Sequence, residues 1–183
     1  MKKLLIASAL LASSTSVFSE EAPAMFSALD FNAPNAQSVK GIRLSVLHGK
    51  IDSMTGLDLA VVGMSETNTT KGVNLGIWGA AKVNQSMTGA SLGLFNWIPG
   101  QTKGLNMGAV NVTGDVKGAN LGFVNYSEGD TLFDWAAVSV SNSSTVQLGF
   151  VNVTKEIKGV QIGILNCAEN GFLRCFPIIN FAK

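Results

Sequence analysis

The stretch Lys103 to Tyr126, KGLNMGAVNVTGDVKGANLGFVNY, holds one short pattern twice. Lys103-Gly104 and Lys117-Gly118 open the two copies. Leu105, Met107 and Ala109 match Ala119, Leu121 and Phe123, Gly108 matches Gly122, and Val110-Asn111 matches Val124-Asn125. Self-similarity at a fixed short period decides a fold before any local propensity does, so the chain is expected to work as an array rather than around a single pocket.

Outward from this pair the copies continue in both directions. GVNLGIWG starts at Gly72, GASLGLFN at Gly89, TVQLGFVN at Thr145 and GVQIGILN at Gly159, with degenerate copies GIRLSVLHG at Gly41 and GLDLAVVGM at Gly56. A worn copy, WAAVSVSN, is read from Trp135. The central small residues are then Ser45, Ala60, Gly76, Gly93, Gly108, Gly122, Ser139, Gly149 and Gly163, with steps of 15, 16, 17, 15, 14, 17, 10 and 14.

Apolar alternation within a copy marks strand, and its phase slips once, at Phe123-Val124. With Val116, Ala119, Leu121, Val124 and Tyr126 all inward, the spacings are those of short strands joined by corners. The expected fold is therefore all-β, a β-roll-like short-repeat β-solenoid of about 14–17 residues per coil. Stacked amides of Asn96, Asn111, Asn125, Asn152 and Asn166 would form a structural ladder along it. The alternative is a small antiparallel β-barrel, one strand per copy, with turns at Thr113-Gly114-Asp115 and Glu128-Gly129-Asp130.

On the solenoid reading the residue after the central glycine points outward, yet Ile77, Leu94, Ala109, Phe123, Phe150 and Ile164 are all apolar. Such a stripe is a candidate interaction surface, for a second copy or an envelope protein, with membrane association as the further expectation.

The rest of the chain frames these repeats. Residues 1–19 read as a signal peptide: Lys2 and Lys3, an apolar run from Leu4 to Ala12, and a small-residue site before Glu20. Residues 20–40 read as an irregular leader or cap with a short helical turn, 41–166 as the β-repeat domain and 167–183 as a C-terminal cap. The formal charge of +1 is scattered, which excludes the basic stripe a nucleic-acid partner requires. Only 14% of residues are charged against 46% hydrophobic, a balance suited to a narrow β-stack or a small barrel.

The copies GVNLGIWG, GLNMGAVN, GANLGFVN and GVQIGILN, closed by Phe176-Pro177-Ile178-Ile179-Asn180-Phe181, resemble the short repeats of a group of bacterial surface-repeat proteins. The resemblance covers roughly Gly72 to Phe181. It implies an exported protein of the periplasm, outer membrane or cell surface of a Gram-negative bacterium, and it carries no catalytic or ligand-binding residues.

Chemical motifs add little. Gly89-Ala90-Ser91-Leu92-Gly93 matches the nucleophile-elbow pattern, but Ser91 holds the repeat position occupied elsewhere by Asp58, Asn74, Asn106, Asn120, Gln147 and Gln161. The single His48 precedes it, the wrong order for that fold. One His and two Cys cannot build a soft-ligand zinc site, and no cofactor fingerprint occurs. Cys167 and Cys175 are expected to form a disulfide fastening the last turn. The expectation is thus a non-enzymatic cell-envelope repeat protein, structural or binding, with an outer-membrane pore or anchor as the alternative.

Overall fold

The computed structural model describes residues 21–183, so the signal-peptide reading of residues 1–19 lies outside the described residues. Among these the chain is all-β, without helix, and forms one open mixed sheet. β1 (Glu21–Ala28), β2 (Phe31–Ala33), β3 (Ser38–Ala168) and β4 (Cys175–Phe181) are ordered β2-β1-β3-β4.

β3 is 131 residues of continuously laddered backbone. A straight strand of that length would run about 430 Å. Instead it returns on itself once per copy. Asn96 bonds Asn111 at a separation of 15, and Asn106–Asn120, Asn111–Asn125 and Thr113–Ser127 all pair at a separation of 14. A constant difference between partners is the arithmetic of parallel alignment, whereas a hairpin would hold their sum constant.

The opening glycines explain how the copies come so close. Gly56, Gly72, Gly89, Gly104 and Gly118 all have φ between +125° and +157°. A Cβ on Gly104 would lie 1.9 Å from the carbonyl oxygen of Gly89, and one on Gly118 would lie 1.8 Å from that of Gly104. At these five positions only a residue without a side chain fits.

The ends of β3 are covered differently. β1 pairs in parallel with its start, from Glu21↔Ser38 to Ala28↔Val46, and β2 folds back antiparallel on β1 through Leu29-Asp30, both at positive φ. The leader is therefore not irregular and has no helical turn. Its Ala22 and Met25 join Ala36, Val39, Ile51 and Met54 in an apolar cluster, which gives it enough burial to hold strand geometry. β4 lies antiparallel on the last copy, with Cys167 opposite Cys175 and a disulfide joining them.

Two further expectations are corrected. Of the five residues expected inward, only Val116 is buried. Ala119, Leu121 and Val124 are half-buried and Tyr126 is exposed, while Asn120, Asn125 and Ser127 are buried in their place. Within the copies the buried positions are polar, so the apolar alternation there marks the outside, while apolar side chains between copies, among them Val83, Met87 and Ile98, are buried together. The worn copy also starts earlier, at Leu132. Asn120 reaches Asp134, and the Cβ position of Gly149 abuts the carbonyl of Ala136, so Ala136 rather than Ser139 is the central small residue.

Candidate functional site

With this frame, positions count from the opening residue of each copy: Gly72, Gly89, Gly104, Gly118, Leu132, Thr145 and Gly159. The second position after it is held by Asn74, Ser91, Asn106, Asn120, Asp134, Gln147 and Gln161, all buried. The same position in the first two copies holds Arg43 and Asp58, also buried. An unpaired polar group there would cost more than its hydrogen bond returns, and part of the column is stitched lengthwise, although Arg43 Nη1 and the Oδ1 atoms of Asn74 and Asn106 have no partner among the described residues. Asn106 donates to Asn120 at 2.8 Å, Asn120 to Asp134 at 3.1 Å and Gln161 to Gln147 at 2.7 Å. Arg43 grips Asp58 bidentately at 2.9 and 2.8 Å and also contacts Ser65.

Burial pushes Asp134 above the usual carboxylate range, against hydrogen bonds from Thr131, Asn120, Ser144 and Gln147.

The seventh position carries the second column. Asn96 donates to Asn111 and Asn111 to Asn125, each at 2.8 Å, and Asn152 donates to Asn166 at 2.7 Å. All five of these asparagines are buried. Ser139 interrupts them: its Oγ and the Oδ1 of Asn152 have no partner among the described residues, and the Asn125 amide turns to the carbonyl of Asn120.

Everything between these columns faces out. With buried and central positions written as x, Val73–Ala80 reads VxLxIWxA, Ala90–Trp97 AxLxLFxW, Leu105–Val112 LxMxAVxV and Ala119–Tyr126 AxLxFVxY. Phe133–Val140 follows as FxWxAVxV, Val146–Val153 as VxLxFVxV and Val160–Cys167 as VxIxILxC. None of the outward residues is buried and none is charged or an amide. Over the same spans the one charged side chain is Asp134, and it is inside.

The expected stripe lies on this face. Ile77, Leu94, Phe123, Phe150 and Ile164 are 49 to 71% exposed, and Ala109 is exposed beside them. Sequence reasoning found this row but missed its neighbours, the rows led by Leu75, Met107 and Trp135 and by Trp78, because it had turned them inward. A groove of about 690 Å³ runs along the face, walled by Leu75, Leu92, Met107, Leu121, Phe123, Trp135 and Phe150 and floored by glycines.

Charges collect on the remaining arc. Lys71, Lys103, Lys117 and Lys158 each stand immediately before an opening residue and are exposed. Lys158 meets Asp130 at 2.9 Å, a hydrogen bond that lowers the carboxyl and raises the amine from their ordinary values. Burial raises the Glu66 carboxyl, but bonds from Asn84, Lys50 and Lys82 outweigh it and leave it lowered. Lys82 also sits 4.8 Å over the ring of Trp97, where the apolar face ends.

Ser91 donates to Asn96 at 2.7 Å, and His48 pairs with Asp30 at 2.6 Å, so the structure does not bring them together. Among the described residues no three His, Cys, Asp or Glu side chains gather where a metal ion could be held. No protein-family model, curated protein or solved structure matches the chain.

Proposed function

We propose that the chain is a short-repeat β-solenoid, one copy per coil, and that it serves as a non-enzymatic module of the bacterial cell envelope, working through its apolar face. The observation that carries this reading is the placement of every copy's apolar residues at the same outward positions over amide columns that pair at constant offset. An exposed apolar surface this continuous is an interaction surface. The polar side chains of the columns are buried and bonded chiefly to one another along the array, away from any substrate at the surface. The disulfide accords with an oxidising compartment, and the resemblance to surface-repeat proteins agrees with export.

A small outer-membrane barrel is the second reading, favoured by the buried amide columns and the apolar exterior. The constant pairing offset weighs against it, because adjacent barrel strands joined by hairpins are antiparallel.

Fractionation of the natively exported protein tests the reading. The expected result is a mature chain beginning near Glu20 in the envelope fraction, with no heat-dependent change of gel mobility. A cytoplasmic, uncleaved chain contradicts export, and a heat-dependent shift favours the barrel.

A further inference from the structure

We infer that the occupant of the apolar face is a lipid bilayer, entered edge-on by the row from Ile77 to Ile164, with the lysine-bearing arc left at the headgroups and in water. This rests on the solenoid reading above and adds the partner to it.

Three observations choose lipid over protein. The first is chemical uniformity. Protein–protein interfaces mix apolar and polar area and carry about one hydrogen bond per 100–200 Å². Within the seven eight-residue spans from Val73–Ala80 to Val160–Cys167 the outward positions offer no amide and no charge, and a single hydroxyl, that of Tyr126 at the margin. A surface that asks for almost no hydrogen bonds matches hydrocarbon, which supplies none.

The second is the treatment of the backbone. In lipid, polar main-chain groups must be satisfied within the protein, and here laddering is continuous from Ser38 to Ala168. The side-chain amides of the copies are turned inside, where Asn106–Asn120, Asn96–Asn111–Asn125, Asn152–Asn166 and Gln147–Gln161 pair along the columns.

The third is the border. Lys71, Lys103 and Lys117 stand exposed before the opening glycines at one margin of the apolar face, the charge that anionic headgroups attract, while Lys158 at the equivalent place is held by Asp130. Trp97 and Tyr126, at the other margin, are the residue types that settle at a membrane–water interface. The charged arc argues for docking at the surface rather than crossing.

All three tryptophans, Trp78, Trp97 and Trp135, lie at outward positions of this face and are exposed. They report its environment without any substitution. Purified mature protein is mixed with vesicles of phosphatidylcholine and phosphatidylglycerol, with and without bromine on the acyl chains. The expected result is emission shifted to shorter wavelength and quenched by the brominated chains. Phe123→Ser with Phe150→Ser, in a protein whose melting is unchanged, should weaken vesicle binding about 100-fold, the burial of two rings. Unshifted, unquenched tryptophans overturn the lipid assignment. If sedimentation then shows these substitutions abolishing a dimer, the face is an interaction surface for a second copy and the reading of the face survives. If no association of either kind is found, that reading falls as well.

Discussion

Asn120 donates its amide to Asp134 at 3.1 Å, and Asp134 is a carboxylate at a buried column position that the amides Asn120 and Gln147 hold in the copies on either side. Burial raises its pKa in the folded chain. A carboxyl raised on folding binds its proton more tightly in the native state, so its contribution is most favourable below the unfolded value near 4 and is lost as pH rises through the folded value. Asp134→Asn should therefore stabilise the protein at neutral pH by about 1 kcal/mol and remove part of the decline in melting temperature between acidic and neutral pH. Melting curves of both proteins across that range are the check.

Ser139 breaks the other column. Asn125 and Asn152 flank it, and its hydroxyl and the Asn152 carbonyl oxygen are both left unpaired. Ser139→Asn should join the two halves and raise stability by about 1 kcal/mol, read as a higher denaturant midpoint at unchanged slope. A lower midpoint would mean the larger side chain finds no room.

The pair Arg43 and Asp58 is fully buried. Asp58→Ala leaves a guanidinium without its counter-charge and should cost about 3–5 kcal/mol. Replacing both residues with Asn, the amide found at this position in Asn74, should recover most of that loss in the same unfolding assay.

Gly104 faces the carbonyl of Gly89 at a distance no Cβ tolerates. Gly104→Ala should cost more than about 3 kcal/mol, from the clash and the positive φ together, whereas Gly159→Ala, at ordinary φ and 2.6 Å from the Thr145 oxygen, should cost less. Thermal melts of the two variants rank them.

The repeat, its period and the amide pairing could be read from the chain because they depend on residue identity at a fixed spacing. The phase could not. Leu121 and Asn120 alternate equally well with either one inside, and the usual expectation that the apolar member is buried turned the copies inside out. The frame around Trp135 failed for a related reason: Trp135 and Ala136 follow the repeat, but with Asp for Asn at 134 and Ser for Asn at 139 nothing local marks the register. The leader looked irregular because Met25 and Phe26 show no period. It gains strand geometry only from pairing with β3. The row from Ile77 to Ile164 was legible because it follows the central small residue in each copy, where the apolar alternation slips phase at Phe123-Val124, and it does not depend on which way the preceding alternation is read.

The winding itself is tested most directly by distances along one row. Spin labels placed in pairs at Ile77 and Ile164, and at Leu94 and Ile164, differ by one copy. At about 4.8 Å per copy the solenoid predicts about 29 Å for the first pair and about 24 Å for the second, before label length is added. A separation that grows with each added copy is the expected result. A first pair no farther apart than the second, as when strands close into a ring, would contradict the account.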